Sequence, residues 1–206
     1  MKKRFLKHHR IEDIEIPDWI KWSYTLLAAV VLPIYWVKYG ITNFLWFSDI
    51  AFFLMVPSLW FKNRLLASMM AIGVLPIETI WIISLCTGGA FLGTANYMYD
   101  ESLPLWLRAL SLFHFPMIMA VVYMIYRFGY DKRAIYLQIL LSLFIISLTY
   151  SFTDKVDNVN MIFLPNGLQS HISPTLYSYL MPAILISCFI TPTHLLLKKY
   201  ARHRWN

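Results

Sequence analysis

The chain has 206 residues, of which 59% are hydrophobic, 17% aromatic and only 14% charged, with a formal net charge of +7. A soluble domain carries about 25% charged residues, so there is too little polar surface here to coat a water-facing globule. Sparse, scattered Gly and Pro exclude disorder and a collagen-like repeat, and Lys and Arg gathered beside apolar stretches point to anionic lipid rather than nucleic acid as partner.

Residues 1–21 form a basic segment with Lys2, Lys3, Arg4, Lys7, Arg10 and Lys21, ending in Ile11, Ile14, Ile16, Trp19 and Ile20. This pattern predicts an interfacial anchor on anionic headgroups. No apolar core precedes Trp22, so the first span is expected to act as an uncleaved insertion signal. Six apolar stretches follow, at Trp22–Trp36, Thr42–Phe61, Leu65–Cys86, Leu105–Tyr126, Ala134–Phe152 and Thr175–Leu197. Most approach the roughly 20 residues that cross about 30 Å of hydrocarbon. Continuous apolar runs exclude a β-barrel, whose strands alternate, and open sheet cannot hydrate its backbone in lipid. The expected fold is an all-α polytopic transmembrane helix bundle of about six spans over residues 22–197, with a basic tail at 198–206. No internal repeat stands out, which disfavours an inverted-repeat transporter.

Charge sets the expected orientation. The N-terminal segment, Lys62 and Arg64, Arg127, Lys132 and Arg133, and Lys198, Lys199, Arg202 and Arg204 together hold 15 of the 18 basic residues. Lys38, Arg108 and Lys155 are the others. The positive-inside rule then places both termini in the cytoplasm, with a bacterial-type inner membrane as the expected host. Two longer loops, Gly88–Pro104 and Thr153–Pro174, fall on the outer side. Loops of that length are usually functional or disordered, and their apolar Phe91–Leu92 and Met161–Leu164 suggest that they dip back onto the membrane. One reading makes them a lid over a cavity, the other a structural plug. Cys86 and Cys188 have no metal-binding or redox spacing.

Ionisable groups inside a span are costly and mark candidate functional sites. Asp49, Glu78 and His114 are three such groups on consecutive spans. At 1.5 Å per residue each falls roughly 10–14 Å below the outer boundary. Three chemistries fit this layer. A carboxylate can orient His114 as general base or acid. Two carboxylates and an imidazole can hold a divalent metal. The same groups can also share a proton in a carrier. A purely structural network that fixes helix register is the fourth reading. Around the trio, Arg108, one turn beyond Ser111, suits a phosphate or carboxylate headgroup. Ser111, Ser48 and Asn43 complete the candidate substrate contacts, although Ser48 points about 100° away from Asp49 on an ideal helix. Gln138, Ser142 and Thr149 form a polar stripe on the fifth span, and Ser187, Thr191 and His194 one on the sixth, both of a kind that glues helices. His194 lies far from the trio. Pro76 and Pro116 each sit two residues from a member of the trio, where a kink would splay the bundle. Spacing alone does not specify a metal, a cofactor or an oligomeric state.

The runs G-I-T-N-F-L-W-F-S-D-I-A at Gly40–Ala51, L-S-L-F-H-F-P at Leu110–Pro116 and T-P-T-H-L-L-L at Thr191–Leu197 resemble a family of uncharacterised bacterial multi-span membrane proteins. Phe44, Leu45, Phe47 and Asp49 also resemble a run in the androgen-induced family of membrane fatty-ester hydrolases, with His114 matching that family's later-span histidine. The resemblance implies hydrolysis of a lipid ester. The family's essential threonine is replaced by Trp46, so a threonine mechanism does not carry over. The expected function is an outer-side intramembrane site for a lipid-like substrate, with ester hydrolysis or acyl transfer as its chemistry. Alternatives are a small proton- or cation-coupled carrier or channel subunit, and a structural component.

Overall fold

A computed structural model describes residues 14–163 and 171–201. Among these residues there are helices and turns and no strand. The long helices are α1 (Asp18–Tyr39), α3 (Arg64–Cys86) and α6 (Ala134–Phe152). Two further rods are interrupted. One joins α4 (Leu105–Leu110) to α5 (His114–Phe128) through a tight 3-10 turn at Ser111–Phe113. The other joins α7 (Pro174–Ile184) to α8 (Thr191–Tyr200) through a π-helical stretch at Leu185–Ile190. These five rods are long and apolar enough to cross a membrane. The remaining helix, α2 (Phe47–Trp60), has 14 residues, which is about 21 Å of rise.

Local chemistry sets the ends of these helices. Pro17 precedes α1 and offers its carbonyl to Ile20 N–H. Asn63 caps α3, its side chain accepting from Leu66 N–H at 2.9 Å. Ser173 caps α7 in the same way at 3.1 Å, with Pro174 in the first turn. At the end of α5, Gly129 takes φ of 78°, a left-handed turn that glycine enters without Cβ strain.

Helix α3 lies at the centre, packed against α2, α5 and α6, while α1 covers α2 and the π-helical stretch leans on α3. Phe52, Met55, Met70, Ile72, Met117, Met124 and Phe128 are buried between them. Leu26, Val37, Tyr136, Leu140 and Phe144 are exposed on the outer surface, an apolar exterior suited to lipid. α3 and α6 approach closely at Gly73, where a Cβ would come within 2.4 Å of Gln138 Nε2. Of the expected polar stripe on α6, Gln138, Ser142 and Thr149 are all buried. At the same end of the bundle as Arg64, Asp131 receives two hydrogen bonds from the Arg133 guanidinium, at 3.1 and 2.9 Å, and a third from its backbone N–H at 3.1 Å, and faces Arg64 at 3.6 Å. The Arg133 bonds hold the Asp131 carboxyl below the ordinary carboxylate range. His194 receives or donates one bond with Tyr130 Oη at 2.6 Å, in keeping with a separate role at that end.

Two boundaries differ from the sequence expectation. The first span begins at Asp18 rather than Trp22, because Pro17 is the natural break and the following residues are helical. Ile14 and Ile16 pack into the core rather than lying on a surface, and Glu15 beside them pairs with Lys62 at 2.9 Å. Residues 1–13, 164–170 and 202–206, including the basic start and most of the basic tail, lie outside the described residues.

The larger difference is in the second span, expected as a continuous helix over Thr42–Phe61. It is broken at Trp46, whose backbone is extended (φ −59°, ψ 133°), between a 3-10 turn at Ile41–Leu45 and α2. The break frees backbone groups that hydrocarbon cannot satisfy. Asn160, from the 153–173 connection, satisfies two of them. Its Oδ1 accepts from Phe47 N–H at 2.9 Å and its Nδ2 donates to Leu45 C=O at 2.7 Å. Asn160 reaches this pose in a left-handed backbone, φ 54°, a region where asparagine is enriched. Tyr177 braces the same connection by donating to Met161 C=O at 2.7 Å.

This latch carries a measurable load. Asn160→Ala leaves Phe47 N–H and Leu45 C=O without partners, each costing about 1–3 kcal/mol. The purified variant is expected to unfold at a clearly lower temperature than the parent. An unchanged melting point would mean that the break needs no latch.

Candidate functional site

The break at Trp46 and the turn at Ser111–Phe113 flank one cavity of about 230 Å³. The break at Trp46 turns Ile41–Leu45 back over the start of α2, so that Asn43 Nδ2 donates to Asp49 Oδ2 at 3.1 Å. The 3-10 turn at Ser111–Phe113 precedes Pro116. A proline lacks the N–H that would bond back to residue 112, so the helix restarts at His114. The turn brings Ser111 Oγ to 2.9 Å from Tyr35 Oη on α1.

His114 is the most tightly held side chain in the cavity wall. Its Nδ1 lies 2.5 Å from Glu78 Oε2, and both residues are buried. Its ring is sandwiched between Trp81, at 4.2 Å and 16°, and Phe113, at 4.3 Å and 18°. Glu78 occupies Nδ1, so Nε2 is the ring nitrogen left for the cavity. Glu78 and Trp81 are three residues apart on α3, one turn along the same face, so one helix supplies both the acid and the stacking ring.

Asp49 is only 3% exposed. Its Oδ2 has Asn43, but its Oδ1 is buried without a hydrogen-bond partner. Thr94 Oγ1, in the same wall, is also buried without one. Buried polar atoms are almost always bonded, so two unbonded atoms on residues that line one cavity mark it as a candidate site for a guest. Asp49 and Glu78 lie within electrostatic range of each other.

The 88–104 connection roofs the cavity. Ala95 N–H donates to Ser84 Oγ at 3.1 Å, Trp81 Nε1 donates to Tyr97 Oη at 3.2 Å, and Tyr99 donates to Leu85 C=O. Thr94, Tyr97 and Leu103 line the space beneath.

Of the residues singled out from sequence, His114, Asp49, Ser111, Ser48 and Asn43 line this cavity. Glu78 stands behind His114 and reaches the cavity only through it. Arg108 is placed differently from the headgroup clamp expected of it. Its Nη1 donates to Met98 C=O at 2.8 Å, tying down the roof, and it does not line the cavity. The metal option fares no better: among the described residues no three His, Cys, Asp or Glu side chains group as ligands, because Asp49 turns to Asn43 while Glu78 turns to His114. Sequence reasoning missed Tyr35, Tyr39, Trp46, Trp81 and Tyr97, all in the wall. Only Trp81 was legible, through its one-turn spacing from Glu78. No protein-family model, curated protein or solved structure matches the chain.

The buried pair makes a direct prediction. Breaking it from one side strands the other group, at about 3–5 kcal/mol. Glu78→Ala and His114→Ala are each expected to destabilise strongly, and the double variant by clearly less than their sum, with a coupling of about 0.5–3 kcal/mol in a double-mutant cycle. Additive losses would show that the two groups do not act as a pair.

Proposed function

We propose that this integral membrane protein crosses the bilayer six times with both ends in the cytoplasm, and that its outer-side cavity binds the polar part of a lipid-like substrate for ester hydrolysis or acyl transfer. A bacterial inner membrane is the host that fits the charge pattern. The observation that carries the catalytic reading is the Glu78–His114 pair, 2.5 Å apart, at the wall of a cavity with unpartnered polar atoms. Breaks in two spanning segments at one level resemble the discontinuous helices that build midplane sites in other membrane proteins.

In this reading Glu78 fixes the tautomer and orientation of His114 and matches the charge that forms on it. His114 Nε2 takes a proton from water as the water oxygen bonds to the ester carbonyl carbon. The carbonyl π electrons move to its oxygen, and their return expels the alcohol, which takes the proton back from His114. An acceptor alcohol in place of water gives acyl transfer by the same route. Water is the favoured nucleophile because Ser111 is already engaged with Tyr35. The likeness of Phe44, Leu45, Phe47, Asp49 and His114 to the fatty-ester hydrolases agrees with this chemistry, and Trp46 in place of threonine agrees with water as nucleophile. A carrier is the second reading. Asp49, buried and without a cationic partner, is the group that would take up a proton or cation, and Asp49→Asn would then abolish substrate-coupled proton movement.

His114→Gln tests the enzyme reading. The glutamine amide can still donate to Glu78 but cannot accept a proton at neutral pH. Turnover of a panel of acyl esters in nanodiscs is expected to fall about 10²–10⁴-fold, with the unfolding temperature little changed. Turnover equal to that of the parent would remove His114 from the chemistry. Topology is tested separately: reporters fused to either end should both read as cytoplasmic, and opposite readings would rule out six crossings.

A further inference from the structure

We infer that the group bound in this cavity is a small organic cation, an ammonium or methylated ammonium. This inference rests on reading the cavity as a binding site and specifies the class of its ligand.

Three features of the wall converge on that chemistry. The first is Asp49. A carboxylate in a low-dielectric interior is costly unless it meets a counter-charge or enough donors. Asn43 supplies one donor, and Oδ1 has none. The second is the aromatic content. Tyr35, Tyr39, Trp46, Trp81 and Tyr97 surround the same space. Ring faces attract cations, Trp most strongly, and recognise quaternary ammonium groups in particular. The third is charge balance. Glu78 is already bonded to His114, which leaves Asp49 as the acid of the wall with no partner beyond Asn43. Among the described residues no lysine or arginine lines the cavity. The nearest basic residues in sequence are turned elsewhere: Arg108 to Met98 C=O and Lys38 to the face of Trp106 at 6.0 Å.

The competing ligand classes fit less well. An anionic group would meet the Asp49 side of the wall with no basic side chain among the described lining residues to offset it. A neutral alcohol or amide would satisfy Oδ1 but gain nothing from the rings. A cation satisfies both. Size narrows the choice: about 230 Å³ lies below the roughly 300–1,000 Å³ of drug-sized sites. The space therefore suits a headgroup or a free small amine rather than an acyl chain. Thr94 Oγ1, free to donate, suits an oxygen attached to that headgroup.

The test uses the full-length protein in nanodiscs of phosphatidylglycerol. Tetramethylammonium chloride and ethanolamine hydrochloride are titrated by calorimetry, with sodium acetate and sodium phosphate as anionic controls. Saturable binding of at least one cation and of neither anion is expected. Asp49→Asn should weaken it about 10- to 150-fold, the range for a charged hydrogen-bond partner. Trp46→Leu should weaken it about 2- to 30-fold, and Trp46→Phe should restore most of the loss. The Trp46 variants keep the test decisive if Asp49→Asn does not fold. A second set of discs containing phosphatidylethanolamine identifies the source. If the amine lipid weakens binding of the free cations, the ligand is a lipid headgroup; if it does not, the ligand is a free amine. Either outcome supports the inference. Absence of saturable cation binding by folded parent protein, equal binding of the anions, or insensitivity to both Asp49→Asn and Trp46→Leu would overturn it. Failure here is separable from failure of the catalytic reading, because cation binding by the parent protein is read by calorimetry without any ester present, and ester turnover is read without added cation.

Discussion

Backbone and side-chain polar groups in hydrocarbon have no water to turn to, and this constraint organises the whole molecule. Where a helix runs unbroken, it satisfies itself. Where it breaks, something else in the protein must supply the missing bonds. The chain interrupts its apolar helices at Trp46 and at Ser111–Phe113, and it answers the first break from a distance. Asn160 closes the first break with two hydrogen bonds, from 113 and 115 positions away. At the second, Tyr35 meets Ser111 across 76 positions. The breaks are therefore a product of tertiary packing as much as of local sequence.

The same constraint explains why the ionisable groups are arranged as they are. Glu78 and His114 reduce each other's cost of burial, and two aromatic rings clamp the imidazole between them. Asp49 has been given one amide donor and nothing more. A protein selecting only for stability would replace a half-satisfied buried carboxyl with an apolar side chain. Holding it at the wall of an aromatic cavity fits a site in which a guest completes the bonding.

Division of labour within the site follows helix by helix. α3 supplies the acid and one stacking ring from a single face. The restart of α5 supplies the imidazole. The 3-10 turn at Ile41–Leu45 and the start of α2 supply the asparagine and Asp49. The 88–104 connection, pinned through Ser84, Trp81 and Arg108, supplies the roof. The roof is thus fastened by the same face of α3 that carries Glu78, so cavity shape and imidazole orientation are mechanically linked.

Composition and local pattern were enough to predict an all-helical chain with helices apolar enough to cross a membrane, to locate its apolar stretches, and to single out Asp49, Glu78 and His114 together. Hydrophobicity and helical rise are local quantities that add up along the chain. Three things were not legible in the sequence. One is which carboxyl meets the histidine, since depth says nothing of rotation about the helix axis: Glu78 faces His114, whereas Asp49 faces Asn43. Another is the role of Arg108, whose carbonyl partner lies in a loop that has no periodic pattern to read. The third is the break at Trp46, because the run Thr42–Phe61 is as apolar as any uninterrupted helix. Only the folded chain decides such points, because in a medium without water a hydrogen bond from residue 160 can outweigh the preferences of residues 45 to 47.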